Sequence, residues 1–197
     1  RRMRALPLDI GIVHFVGIGG IGMSGIAELL LNLGFHVSGS DMNENDNVKR
    51  LKKLGVDIKI GHDPGNLTHA DVLVFSSAVP LENPEIIRAR QKGIPVIRRA
   101  EMLGELISVK ETSIAIGGTH GKTTTSSMVG TILAHAKKDP TLVVGGLVQN
   151  LDSNSKLGSG DIIVVEADEF DRSFLHLSPY CSIITSMDPD HLDIYGD

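Results

Sequence analysis

The amino-acid sequence predicts an α/β protein, in which a parallel-sheet domain is followed by the beginning of a second α/β domain. Short apolar runs alternate with helical patterns along the first half of the chain. Two glycine-rich loops each follow an apolar run and precede a helix. Gly is abundant, at 22 of 197 residues, and only 4% of the residues are aromatic. This composition favours an α/β architecture with many tight strand–helix turns over a β-sandwich.

Five strands and four helices are predicted in the first domain. The strands are the apolar runs at residues 10–16, 35–39, 56–60, 72–75 and 93–97. The helices are predicted at residues 23–33, 48–54, 83–92 and 99–107. Gly34 and Gly55 each end a helix, and Pro84 lies in the first turn of the third. Strands that alternate with helices in this way predict a doubly wound parallel sheet.

The strand at residues 113–116 starts the pattern again. A helix is predicted at residues 124–136, and strands at residues 141–144, 162–165 and 182–185. The polar segment 150–160 is rich in Gly and Ser and is predicted to be a surface loop. We place the domain boundary near residue 110, which gives domains of residues 1–110 and 111–197. Because the sequence begins at Arg1 and stops at Asp197 directly after a motif, we expect a fragment of a longer protein.

Composition argues against several classes of function. The net charge of −5 provides no overall basic field, so nucleic acid is not expected as a partner. No signal peptide is recognisable, and no apolar run is long enough to cross a membrane. A single cysteine, Cys181, excludes an intrachain disulfide and favours a reducing, cytoplasmic location. Cys181 begins an apolar run, so we expect it to be buried and inert.

The glycine loop at residues 118–123 reads Gly-Thr-His-Gly-Lys-Thr. Backbone N–H groups and a helix N-terminus provide positive potential for phosphates, Lys122 adds a point charge, and the Thr123 hydroxyl suits Mg²⁺. The general phosphate-loop pattern has a further glycine where this chain has Ile116. Although a ligand-free turn with a chance Lys-Thr is the alternative, the order of strand, glycines, Lys, Thr and helix favours a nucleoside triphosphate site.

The earlier loop carries Gly17, Gly19 and Gly22 in the spacing of a dinucleotide-binding fold, and Asp41 ends the next strand. Taken alone, this pattern predicts an NAD-dependent dehydrogenase. Other diphosphates bind such loops as well, and a tight turn without a ligand is a further alternative. The second loop argues against NAD, because a dehydrogenase does not need a triphosphate site directly after its dinucleotide domain.

Several motifs in combination resemble those of the Mur ligases. They lie at residues 17–28, 40–41, 76–78, 118–125, 145–147, 166–169, 173–175 and 190–193. The resemblance covers nearly the whole chain. The family has three domains, and this chain resembles the Rossmann-like UDP-sugar-binding domain and only the start of the central ATPase domain. The sequence Gly19-Gly-Ile-Gly-Met23 resembles the alanine-adding branch more than the branch that attaches a preformed peptide.

The resemblance implies an ATP-dependent amide ligase of peptidoglycan biosynthesis, with ATP and Mg²⁺ as cofactors. The carboxylate of UDP-N-acetylmuramate is phosphorylated by ATP, and the amine of L-alanine then displaces phosphate to form the amide. We expect this chain alone to be inactive, because most of the ATPase domain and the third domain would be missing. The alternatives from other classes are an NAD-dependent dehydrogenase and a UDP-sugar-binding module. No oligomeric state is predicted.

The resemblance also assigns residues to each role. The implied catalytic residues are Lys122, Glu166 and His191, and the implied Mg²⁺ ligands are Thr123, Glu166 and His191. The implied ATP-binding residues are Gly118, Thr119, His120, Gly121, Lys122, Thr123 and Thr124. The implied UDP-sugar-binding residues are Gly17, Gly19, Gly20, Gly22, Met23, Asp41, Ser76 and Ser77, with His62 as a further candidate.

Two of these assignments can be compared with elementary chemistry. Glu166 ends an apolar strand, and open α/β sheets bind ligands at the carboxyl ends of their strands. Mg²⁺ prefers oxygen, so chemistry alone favours Asp190 or Asp193 over His191 as a ligand.

His14 lies within the first apolar strand, and we expect it to be a core residue with its polar atoms satisfied.

Overall fold

The computed structural model describes residues 11–109, 111–144, 147–149, 160–166 and 179–186. These residues form two compact units that divide between Met102 and Leu103. The division lies inside a helix, N-terminal to the domain boundary predicted near residue 110. Within the described residues, no helix combines the length and the apolar character needed to cross a membrane.

The first unit is a five-stranded sheet in which every pair of neighbouring strands is parallel. Its strands are β1 (Ile12–Val16), β2 (His36–Asp41), β3 (Asp57–Ile60), β4 (Ala70–Phe75) and β5 (Val96–Arg98), in the order β3-β2-β1-β4-β5. Its helices are α1 (Ile21–Asn32), α2 (Asp46–Lys53), α3 (Pro84–Gln91) and the start of α4 (Arg99–Val109), with a 3₁₀ helix at Pro64–Leu67. The predicted Rossmann-like parallel sheet is confirmed.

Local sequence explains where the helices of this unit begin. The Asn45 side chain accepts a hydrogen bond from Val48 N and caps α2, and Asn83 accepts one from Glu85 N and caps α3. By contrast, α1 begins after Gly20 with no side-chain cap. Its first amides are therefore left for a partner from outside the helix.

The second unit is also a five-stranded sheet, flanked by a helix. Its elements are β6 (Thr112–Gly117), α5 (Lys122–His135), β7 (Thr141–Val144), β8 (Leu147–Gln149), β9 (Ile162–Glu166) and β10 (Cys181–Ile184). The strand order is β10-β6-β9-β7-β8, and only β8 is antiparallel to its neighbour. Ile116, Leu142 and Val164 form one buried cluster of its core. The carboxyl ends of β6, β9 and β10 therefore meet at one edge, beside the start of α5.

Some expectations need correction. Cys181 is exposed rather than buried. It lies on β10, which pairs only with β6 among the described strands and is therefore an edge strand of this sheet. The sequence also did not predict β8 or the 3₁₀ helix. The expectations for residues 150–159, for the motifs at 167–169, 173–175 and 190–193, and for His191 lie outside the described residues.

Candidate nucleotide-binding sites

The phosphate loop of the second unit connects β6 to α5. Gly118 and Gly121 have φ angles of +132° and +80°, which L side chains rarely adopt, and Gly121 is the N-cap of α5. The backbone N–H groups of Gly121, Thr123 and Thr124 have no hydrogen-bond partner among the described residues. Open amides at a helix N-terminus provide positive potential for an anion. The loop therefore has the geometry of a phosphate site.

Two residues after β10 hold this loop in place. The Ser186 hydroxyl accepts from His120 N at 3.1 Å and lies 2.8 Å from Thr119 Oγ1. The Thr185 hydroxyl donates to the carbonyls of Gly117 and His120 at 3.2 and 2.5 Å. Sequence reasoning did not single out either residue. The available signal was a pair of hydroxyl residues directly after an apolar strand, at the edge where ligands bind.

We expect the Gly118→Ala substitution to lower the thermal unfolding midpoint of the chain. An added Cβ would lie 2.1 Å from Thr185 Oγ1 and 2.9 Å from Ser186 N, at a φ that is itself unfavourable for alanine. Backbone strain of this kind costs about 1–3 kcal/mol. Gly117→Ala is the matched control, because a Cβ there would have no heavy atom within 4 Å. Equal midpoints for the two variants would contradict the close packing of this loop.

Thr123 and Glu166 meet beside the loop. The Thr123 hydroxyl donates to Glu166 Oε1 at 2.9 Å, and Glu166 ends β9 next to Ile116 of β6. The Lys122 ammonium donates to the carbonyl of Gly118 at 2.5 Å. Oxygen atoms from a hydroxyl and a carboxylate suit a hard cation such as Mg²⁺. Within the part of the chain that is described, no group of three His, Cys, Asp or Glu side chains converges, and His191 lies outside it.

The glycine loop of the first unit uses most of its amides internally. Gly17 N and Ile18 N donate to the carbonyl of Ser40 on β2, at 2.9 and 3.0 Å, and Gly20 N donates back to Gly17 at 3.1 Å. Gly17 has a φ of +76°, and a Cβ there would also crowd a neighbouring valine. These bonds fix the loop against β2 but leave these amides unavailable to a ligand.

The backbone of Gly19 is held by hydrogen bonds at both its N–H and its carbonyl. Its N–H donates to Asp41 Oδ2 at 2.8 Å, and its carbonyl accepts from the side-chain amides of Asn45 and Asn47, each at 3.0 Å. A Cβ on Gly19 would lie 2.8 Å from a methyl group of Val48 and 2.9 Å from Asn45. The close approach of α2 to the loop therefore requires glycine at this position.

The amides of Ile21, Gly22 and Met23 begin α1, and they have no hydrogen-bond partner among the described residues. An anion on this side of the loop would therefore be bound by the helix N-terminus rather than by Gly17–Gly20. The Met23 side chain itself is buried in the core.

An open pocket of about 930 Å³ lies over this edge of the first sheet. Of the predicted UDP-sugar-binding residues, Gly17, Gly19, Gly20, Asp41 and Ser76 line it, together with the further candidate His62. Gly22, Met23 and Ser77 are not among its lining residues. Ser77 is exposed in the turn after β4.

A buried carboxylate lies beneath this pocket. Glu85 is 0% exposed at the start of α3, and its Oε2 accepts from the Ser40 hydroxyl at 2.5 Å. His14 is a buried strand residue, as predicted, and its Nδ1 lies 2.8 Å from Ser38 Oγ. The expectation that its polar atoms are satisfied is wrong for Nε2, which lies 3.5 Å from Glu85 Oε2 and makes no hydrogen bond among the described residues. Burial raises the pKa of Glu85, but the nearby His14 ring and the hydrogen bonds from Ser40 and Asn66 outweigh it and hold the pKa below its ordinary value. Sequence reasoning missed Glu85.

Comparison with known proteins identifies the family of this chain. The model of the Mur ligase catalytic domain matches residues 12–111, which is more than half of the chain. The chain belongs to the Mur ligase family. The model of the Mur ligase middle domain matches residues 116–197.

Two similar proteins of this family share one name. A UDP-N-acetylmuramate–L-alanine ligase of Acidiphilium cryptum is 57% identical over 98% of this chain and 40% of the relative. One of Myxococcus xanthus is 60% identical over 94% of this chain and 39% of the relative. The Mur ligase chain described here thus spans about 40% of the length of the curated relatives that it matches.

Solved structures agree with the fold. The UDP-N-acetylmuramate–alanine ligase of Thermotoga maritima matches with a TM-score of 0.79 and 37% identity, over 94% of this chain and 43% of the other. A Neisseria ligase for UDP-N-acetylmuramate and L-alanyl-γ-D-glutamyl-meso-diaminopimelate matches with the same TM-score and 29% identity, over 95% of this chain and 64% of the other. The α/β class predicted from the sequence is thereby confirmed.

Proposed function

We propose that this chain provides the UDP-sugar site and part of the ATP site of a UDP-N-acetylmuramate–L-alanine ligase. The observation that carries the proposal is the pairing of Thr123 with Glu166 at 2.9 Å, beside Lys122 and the open N-terminus of α5. The names of relatives at 57% and 60% identity support L-alanine as the amino acid. A cytoplasmic location belongs to the same proposal, because ATP and UDP-sugars are cytoplasmic metabolites.

In this proposal the second unit acts on the triphosphate. The amides of Gly121, Thr123 and Thr124 bind phosphate oxygens, and Lys122 leaves the Gly118 carbonyl to place its charge against the outer phosphates. The Thr123 hydroxyl and the Glu166 carboxylate would hold Mg²⁺. ATP and Mg²⁺ together supply the phosphoryl group and the charge compensation that turn a carboxylate into a reactive acyl phosphate. His191 stays a proposed second metal ligand.

The first unit binds and orients the sugar nucleotide. In this proposal the amides of residues 21–23 bind the diphosphate, and the Asp41 carboxylate is the acid that a dinucleotide fold presents to the ribose. The Asp41 carboxylate already accepts from Gly19 N and from Asn43 N, so it is held in a fixed orientation. Ser76, directly after β4, is a further contact to the nucleotide or the sugar.

Isothermal titration of this chain tests the ligand of the first unit. We expect UDP-N-acetylmuramate to bind and NADH not to bind. The Gly19→Ala variant should lose at least tenfold in affinity for the UDP-sugar, because the added Cβ pushes the loop away from α2. Binding of NADH without binding of the UDP-sugar would support a dehydrogenase and contradict the proposal.

The acceptor is tested in the full-length enzyme. We expect phosphate release that depends on L-alanine, and little release with a preformed tripeptide. The structural match to the Neisseria ligase, whose TM-score equals that of the alanine ligase, makes the tripeptide the relevant competitor. Turnover with the tripeptide alone would move the protein to the peptide-attaching branch of the family.

A further inference from the structure

The hydrogen bonds that the Glu85 carboxylate accepts can be assigned atom by atom. Its Oε1 accepts from the Asn66 side-chain amide and, at 3.4 Å, from Asp63 N, and its Oε2 accepts from the Ser40 hydroxyl. Its lowered pKa leaves the group ionised at neutral pH. An ionised carboxylate can only accept hydrogen bonds, so the Ser40 proton must point at Glu85.

The remaining bond of Ser40 then determines the state of His62. Ser40 Oγ lies 3.0 Å from His62 Nδ1, and its single proton is already donated to Glu85. The Ser40 oxygen must therefore accept, which requires the proton of a neutral His62 ring to be on Nδ1. In that tautomer Nε2 carries a lone pair instead of a proton.

The lone pair is placed for a ligand. His62 lines the pocket over the first sheet, and its side chain is 15% exposed. Nε2 lies across the ring from Nδ1, and it has no hydrogen-bond partner among the described residues. An N–H or O–H of a bound molecule can therefore donate to it.

We propose that Glu85 is a positioning residue that acts through Ser40 to fix the tautomer of His62, so that Nε2 accepts a hydrogen bond from the ligand of this pocket. The donor would be an N–H or O–H of the nucleotide or the sugar. The identity of the ligand rests on the function proposed above, whereas the tautomer does not.

The Glu85→Gln substitution should reverse this chain of hydrogen bonds while keeping the size of the side chain. Asn66 also donates to the carbonyl of Gly61, so its amide is fixed as a donor, and Asp63 N can only donate. Both keep the glutamine oxygen on their side and turn its NH₂ group toward Ser40. Ser40 then accepts from glutamine and donates to Nδ1 of His62, which moves the His62 proton to Nε2.

Nitrogen chemical shifts of the imidazole rings measure the tautomer directly. The chain is labelled with ¹⁵N-histidine and studied at about pH 8.5, where histidine is ordinarily neutral; the His62 signals are identified by their loss in His62→Gln. We expect the proton on Nδ1 in the wild type and on Nε2 in Glu85→Gln. A wild-type ring protonated on Nε2, or no change of tautomer in Glu85→Gln, would overturn the proposal.

Two serines of β2 provide a matched pair of variants. Ser40→Ala removes the bond to His62, whereas Ser38→Ala, on the same strand, removes the bond to His14 of the neighbouring β1. We expect Ser40→Ala to release the His62 tautomer and Ser38→Ala to leave it unchanged. A shift of His62 of the same size in both variants would indicate a general effect on folding and contradict a specific role for Ser40.

Titration with UDP-N-acetylmuramate tests whether His62 Nε2 accepts a hydrogen bond from the ligand. Glu85→Gln and Ser40→Ala should lose about tenfold in affinity, and Ser38→Ala should stay within about twofold of the wild type. Wild-type affinity in Glu85→Gln would overturn the role of Nε2. If the wild type does not bind the UDP-sugar, the proposed function is wrong, and so is the UDP-sugar as the ligand of His62 Nε2. The nitrogen chemical shifts test the tautomer of His62 independently of that result.

Discussion

Replacing Lys122 with alanine is expected to lower ligation by the full-length enzyme at least a thousandfold, while affinity for the UDP-sugar stays within about twofold. Lys122 is the first residue of α5, and its ammonium lies at the phosphate loop, 2.5 Å from the Gly118 carbonyl. In the proposed reaction a carboxylate attacks a phosphate, so two anions must approach each other. The side chain provides the positive charge that this approach requires.

L-alanine-dependent phosphate release measures ligation, and isothermal titration measures UDP-sugar binding. Lys138→Ala removes an exposed lysine of the same unit and serves as the control, with activity expected close to that of the wild type. Loss of UDP-sugar affinity in Lys122→Ala would contradict separate nucleotide sites. Retained ligation would remove Lys122 from the reaction.

Replacing Glu166 with alanine is also expected to abolish ligation and to spare UDP-sugar binding. The carboxylate accepts from Thr123 and ends β9 at the edge where the phosphate loop begins, so its loss removes a charged oxygen ligand for Mg²⁺. Glu166→Gln keeps the shape and an oxygen for Thr123 but removes the charge. We therefore expect this second variant to need at least tenfold more Mg²⁺ for half-maximal rate.

The Mg²⁺ dependence of phosphate release separates these possibilities. Glu111→Gln is the control for removal of a single exposed negative charge from the same unit. An unchanged Mg²⁺ requirement in Glu166→Gln would contradict a role for Glu166 as a metal ligand. Loss of UDP-sugar binding in Glu166→Ala would put the two-site description in doubt.

The sequence was most informative where chemistry is local. The phosphate loop, its helix and Glu166 at the end of a strand are recognisable because each depends on residues that are adjacent along the chain. The spacing from Gly19 to Asp41 likewise predicted that the acid ends the next strand near the loop. Which loop amides stay open depends on bonds to Ser40 and Asp41, so the sequence could not indicate that the helix amides are the ones left for an anion.

Contacts between distant strands were not predictable in the same way. Ser186 reaches Thr119 because β10 pairs with β6, and that order of strands is not apparent from either segment alone. The exposure of Cys181 has the same cause, since local hydrophobicity does not show whether a strand lies at an edge. Glu85 was missed because an acid in the first turn of a helix is usually solvated, and its burial depends on Ser40 of another strand.

The central claim is that this chain carries two separate nucleotide sites, one for a UDP-sugar on the first sheet and one for ATP on the second. Parallel titrations of UDP-N-acetylmuramate and of ATP with Mg²⁺ into the wild type, Gly19→Ala and Lys122→Ala test it most directly. We expect Gly19→Ala to lose only the UDP-sugar and Lys122→Ala to lose only ATP. A variant that loses both ligands, or a wild type that binds neither, would contradict the claim.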